Sequence, residues 1–202
     1  MNVELQYNME FMGAIHYDGV VELNSYEISL QMTTCSMDPR ISNIALERIR
    51  AFVHGEMASV VFVNQDDNDT ALLMQALGMN VCTLPNEPVD QIIGIMLYCK
   101  LNAITEGQLI INRLDISSSL GDSVWYQHSE EDALGPFAAD GWWHKSGTQK
   151  DSLEFEPTPD NVVKVQSTGW HEYGLEWPEP EKEKTAKVFQ ANFRKNEDNA
   201  AR

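Results

Sequence analysis

From Val3 to Phe11 the odd positions are apolar (Val3, Leu5, Tyr7, Met9, Phe11) and the even ones polar (Glu4, Gln6, Asn8, Glu10). A period of two predicts a half-buried strand. A second run repeats the pattern, with Tyr26, Ile28, Leu30 and Met32 apolar against Glu27, Ser29 and Gln31. Asp18-Gly19 lies between the runs and is a strong two-residue hairpin turn. Closing the turn by pairing Tyr17 with Val20 sets Phe11 opposite Tyr26, Met9 opposite Ile28, Tyr7 opposite Leu30 and Leu5 opposite Met32. A one-residue slip would mate apolar with polar residues along the whole ladder, so the register is strongly specified. On the polar face it sets Glu10 opposite Glu27 and Asn8 opposite Ser29. The apolar parity changes near Gly13 and Asn24, which predicts a bulge or bend there.

Beyond the hairpin the period changes. Asp38-Pro39 joins an N-cap residue to a proline at the first helical position, and Ile41, Ile44, Ala45, Ile49 and Phe52 recur at helical spacing up to Gly55. A strand is predicted over Val60–Val63, a helix over Asp69–Leu77 stopped by Gly78, and a strand over Asn80–Leu84 stopped by Pro85. Asn86 is placed to cap a helix over Glu87–Asn102 with Val89, Ile92, Ile93, Met96, Leu97 and Ala103 along its stripe. Leu109–Ile116 and Val124–His128 form a second predicted hairpin.

The order ββαβαβαββ defines an α/β fold of the mixed α+β kind: a long N-terminal hairpin, then alternating units, in one mixed sheet with helices on its apolar faces. Residues 1–128 form this domain. Residues 129–177 read as an irregular, tryptophan-rich extension packed on it, punctuated by glycine and proline, with one short strand at Asn161–Gln166. Residues 178–202 read as a charged tail with no fixed structure, Phe189 and Phe193 standing at helical spacing within it.

The chain has 202 residues and 43% hydrophobic content, enough to bury a real core. Against 31 acidic residues stand 14 basic ones, a formal charge of −17, so the surface repels phosphate backbones and anionic headgroups. Nucleic-acid and membrane-surface binding are therefore not expected. Cys35, Cys82 and Cys99 form no CxxC pair and sit in apolar runs, which predicts buried, reduced thiols and a cytoplasmic setting. The opening residues lack the basic and apolar pattern of a signal peptide, and no window is apolar for the length of a membrane span.

Candidate chemistry is sparse. All five tryptophans fall after residue 124, and Trp142, Trp143, Trp170 and Trp177 lie in the loop-rich extension. Aromatic rings on loops make binding hot spots, and Trp142-Trp143-His144 is the foremost candidate for an exposed contact. The competing account has these rings folding the loops back onto the sheet. The histidines form no HxH, HExxH or His/Cys zinc spacing, and no glycine-rich phosphate loop or GxSxG elbow occurs, so no cofactor is expected.

Two functions remain. The favoured one is a non-catalytic acidic protein whose carboxylates and tryptophan-bearing loops bind a protein partner with a basic surface, as an inhibitor or a mimic of nucleic-acid charge. The alternative is a metal-dependent phosphodiester or nucleotide hydrolase of ribonuclease-H-like topology, with Glu10, Glu47 and Asp66 holding two cations. Against it stands the shortage of bases, only Arg40, Arg48, Arg50, Lys100 and Arg113 within residues 1–128. Val81-Cys82-Thr83-Leu84-Pro85, Asp90-Gln91-Ile92-Ile93-Gly94-Ile95-Met96, Cys99-Lys100-Leu101-Asn102-Ala103-Ile104 and Gly121-Asp122-Ser123-Val124-Trp125-Tyr126 resemble an uncharacterised protein family of T4-like bacteriophages, over about residues 1–130. The resemblance implies a phage accessory protein made in the host cytoplasm, of use in host takeover. It brings no catalytic residues.

Overall fold

The hairpin sets the frame of the computed structural model, which describes residues 3–122, 124–148 and 169–178. Strand β1, Glu4–Tyr17, pairs antiparallel with β2, Val20–Thr34, in the register predicted from the sequence, from Tyr17 opposite Val20 to Leu5 opposite Met32. Asp18 and Gly19 both have positive φ, as a type I′ turn requires. The chain continues through helix α1, Pro39–Ala51, strand β3, Val60–Asn64, helix α2, Asn68–Ala76, strand β4, Asn80–Leu84, helix α3, Asp90–Thr105, and strands β5, Leu109–Ser118, and β6, Tyr126–Ser129. The six strands form one mixed sheet in the order β4-β3-β1-β2-β5-β6. β3 runs parallel to β1 and β4 parallel to β3, while β5 and β6 run antiparallel to their neighbours.

The expected bulge at Gly13 and Asn24 is absent, since pairing of β1 with β2 is continuous there. The parity changes for another reason. From Gly13 onward β1 takes β3 as a second neighbour, and α2 covers the face that was polar, packing Ala71 and Met74 against Ala14, Val61, Val63 and Val81. Gly13 and Ala14, where β1 lies between β2 and β3, are then both buried although they point to opposite faces. Gly13 is small because a Cβ there would stand 3.0 Å from the Val60 carbonyl oxygen. The irregularity lies elsewhere, between β2 and β5, where the register steps from Gln31 opposite Arg113 to Met32 opposite Ile111 and passes over Asn112 of β5.

The opposite face carries the main core. Met9, Phe11, Tyr26, Ile28, Leu30 and Met32 meet Ala45 and Ile49 of α1 and Ile93, Met96, Leu97 and Leu101 of α3. Asp38 caps α1 by accepting from the Arg40 amide at 2.9 Å, and a π-helical turn, Phe52–Glu56, prolongs the helix through Gly55. Helix α3 begins at Asp90 rather than Glu87, because Pro88 holds the residue before it out of helical conformation. Val89 consequently lies outside the helix and is exposed. Gly94 lets α3 approach β5, where a Cβ would stand 2.8 Å from Ile116 Cγ2. Cys82 and Cys99 are buried, and burial pushes the Cys99 thiol up to about 11. Cys35 is exposed, against expectation, since it lies just past the end of β2 and its amide bonds to the Gln108 carbonyl.

The predicted strand at Asn161–Gln166 and the charged tail beyond residue 178 lie outside the described residues. Among the described residues no helix is long and apolar enough to cross a membrane.

Candidate functional site

Trp142, Trp143 and Trp170 are not an exposed contact, and Trp177 is half-buried. Trp142 and Trp143, in a 3-10 turn at Trp142–His144, are 2% and 5% exposed, and Trp170 is 8% exposed. Two cations from the helices hold them. Lys100 of α3, wholly buried, donates to the carbonyls of Trp142 at 3.2 Å, Lys145 at 2.7 Å and Gly147 at 2.6 Å, with the rings of Phe52 and Trp142 5.6 Å from its Nζ. Arg48 of α1 donates to the Leu175 and Ile104 carbonyls and to Glu106, and its guanidinium lies 5.0 Å from the Trp170 ring centre and 3.9 Å from that of Trp177. His144 is exposed, but its Nε2 is 2.7 Å from the Phe137 carbonyl oxygen and Trp143 donates to the same oxygen. The Trp142 indole donates to the Thr83 carbonyl on β4. Since the Leu84 carbonyl points inward, to Gln65 after β3, that of Thr83 points outward, and Trp142 covers the outer edge of the sheet. These rings hold the extension down. The sequence did carry a signal for this, in lone cations set among apolar helical residues: Arg48 beside Ile49, Lys100 between Cys99 and Leu101.

Glu10, Glu47 and Asp66 are not brought together. Glu10 stands on the face of β1 turned away from α1, Glu47 on α1 is paired with Arg50, and Asp66 follows β3 with its amide bonded to Asn64. The sheet itself separates the first two. Among the described residues no three His, Cys, Asp or Glu side chains gather to hold a metal ion. This geometry removes the two-metal site proposed from sequence.

Beside α2, the same face of the sheet is open, and Glu10 faces Glu27 there. The pair sits at a position without mutual backbone bonds, counting by twos from the hydrogen-bonded Tyr17–Val20 closure, which brings the side chains closest. β5 adds Asp115 beside Ser29, and Trp125, ahead of β6, is 46% exposed. Together with Asn8 and His54 these residues line an open cavity of about 670 Å³. Asp115 is paired with Arg113 at 2.7 Å, which holds the guanidinium above its usual pKa. Among the described residues Glu10 and Glu27 have no ion pair. Positive charge is spent elsewhere: Arg40 pairs with Asp38, Arg50 with Glu47, Arg48 with Glu106, and Lys100 is enclosed by carbonyls. Hairpin register revealed the Glu10–Glu27 pair from sequence. The contribution of Asp115 and Trp125 needed the long-range pairing of β2 with β5, for which no local signal exists.

No protein-family model and no curated protein matches the chain. Among solved structures it is similar to 6-pyruvoyltetrahydropterin synthase from Plasmodium vivax, at 12% identity and a TM-score of 0.41, over 63% of this chain and 97% of that one. An uncharacterized protein from Wolinella succinogenes is similar at 6% identity and a TM-score of 0.47, over 65% and 99% of the two chains. At these identities and TM-scores the likeness transfers no residue roles.

Proposed function

We propose that the chain is a non-catalytic binding module whose open, acidic sheet face receives a basic side chain of a protein partner. The observation that carries this reading is the opposed pair Glu10 and Glu27, without a cation of their own, in a cavity flanked by the exposed Trp125. Like charges directly opposite destabilise a sheet, and an incoming Lys or Arg relieves that cost while stacking on the indole. On the resemblance to phage proteins, the partner would be a protein of the infected host.

Titration with a labelled lysine-rich peptide, at two salt concentrations, tests the proposal. Affinity should fall several-fold between about 0.05 and 0.5 M salt as the Debye length shortens. Glu10→Gln with Glu27→Gln should weaken low-salt binding by about tenfold, equivalent to ~1.4 kcal/mol. Equal affinity at both salt concentrations, or in the double variant, refutes the reading.

A further inference from the structure

β2 is longer than the strand that covers it. β5 pairs with β2 from Thr34 back to Tyr26 and goes no further, and the next outward-facing position, Ser25, is closed by the loop after β5: its amide donates to Ser119 Oγ at 3.2 Å and its carbonyl accepts from the Ser119 amide at 2.9 Å. Backbone direction alternates with a period of two along a strand. Since Ser25 points its amide and carbonyl outward, Leu23 and Val21 do the same, whereas Asn24, Glu22 and Val20 turn theirs toward β1. Among the described residues nothing bonds to the backbone of Leu23 or Val21. Their side chains, with that of Met12, are exposed on the face that α2 leaves bare, Leu23 at 78%. The opposite face at this point bears Glu22, exposed opposite Ile15, and Asp18 occupies the turn.

We propose that the free edge of β2 at Val20–Asn24 docks an extended segment of a partner as an added strand, in which a Lys or Arg facing Glu22 is flanked by apolar residues facing Val21 and Leu23. The partner's charge rests on the reading of the open acidic face given above; the edge itself does not. Strand addition supplies main-chain hydrogen bonds for affinity and alternate side chains for specificity. Directly opposed residues share a face, so the residue opposite Glu22 meets a carboxylate and its two neighbours meet apolar side chains. Charge complementarity also chooses between occupants. A second copy of this chain, paired antiparallel about Glu22, would set Glu22 against itself in two molecules each of formal charge −17. A basic segment meets no such repulsion.

The probe is a labelled heptapeptide of alternating valine and lysine, titrated by fluorescence anisotropy, with the valine–glutamate heptapeptide as its counterpart. The wild-type chain should bind the lysine peptide and not the glutamate one. Leu23→Pro removes only an outward amide, which an edge strand tolerates, so it should weaken the lysine peptide by about tenfold or more while the fold is retained. Glu22→Lys should reverse the preference toward the glutamate peptide, and this readout stands even if the proline variant does not fold. Unchanged binding in a folded Leu23→Pro, or an unchanged preference in Glu22→Lys, overturns the proposal. So does a concentration-dependent dimer of the wild type that Leu23→Pro dissociates, since the edge would then belong to a second copy. If Glu10→Gln with Glu27→Gln leaves lysine-rich binding intact but Leu23→Pro still abolishes heptapeptide binding, the open-face reading fails and the edge remains.

Discussion

Lys100 makes the stability of this protein depend on pH in a direction opposite to that of a surface lysine. Its ammonium is fully buried, and burial lowers its pKa from 10.5 to about 7, with a smaller contribution from Lys145, while Cys82 and Glu56 act in the opposite sense. The folded chain therefore binds this proton less tightly than the unfolded chain does. Between the folded and unfolded pKa values the unfolded state carries more protons, so stability rises with pH across that window. From pH 7 to 9 the gain is about 2 kcal/mol, given ~1.36 kcal/mol per pKa unit and a folded group already half titrated at the lower pH. The assay is urea unfolding at pH 7, 8 and 9, followed by tryptophan fluorescence, for the wild type and Lys100→Met. The difference between the two isolates Lys100, because the raised Cys99 thiol, which costs stability as pH climbs above 9, is common to both. Stability of the wild type relative to the variant should climb by about 2 kcal/mol over the range. A flat difference would refute the reasoning, and would mean that the three carbonyls of Trp142, Lys145 and Gly147 hold the ammonium as well as water does.

Three further outcomes follow from the packing. Arg48→Met removes a buried guanidinium that bonds two carbonyls and stacks on two indoles; the loss should be about 2–4 kcal/mol in urea unfolding, with faster hydrogen exchange in residues 169–178. Gly94→Ala drives a methyl against Ile116 Cγ2 and should cost about 1–3 kcal/mol in urea unfolding, and the added cost should shrink in an Ile116→Ala background, which lacks that carbon. His128, 6% exposed and with Nε2 unpartnered among the described residues, lies beside Tyr98 and has its pKa lowered by burial and partly restored by Asp132. Stability should therefore fall as pH drops through the unfolded histidine value, and His128→Phe should flatten that fall between pH 7 and 5, as read by thermal melting.

Elements with their own local period were legible in the sequence. The hairpin register held at every pair because the turn chemistry and the apolar alternation agree, and it located the Glu10–Glu27 pair before any fold was known. The parity change at Gly13 was visible but misassigned, since a second strand neighbour and a covering helix leave the same trace as a bulge. The start of α3 was misjudged because the capping signal at Asn86 outweighed the restriction that Pro88 imposes. Of the two accounts of the tryptophans, the one that folds the loops back onto the sheet holds for Trp142, Trp143 and Trp170, and the exposed contact at Trp142-Trp143 does not. Their burial is decided by Arg48 and Lys100, 127 and 42 residues away from the carbonyls of Leu175 and Trp142 that they hold, and no window of sequence contains both partners.

Trp142 bonds the outer edge of β4 at the Thr83 carbonyl from 59 residues further along the chain. During synthesis, β4 emerges with its row of outward carbonyls and amides bare, and stays so until the extension has left the ribosome and turned back. Throughout that interval the nascent sheet offers a strand edge to any neighbouring chain, so slow translation beyond Leu84 prolongs the hazard, and rapid delivery of the Lys100-anchored loop ends it.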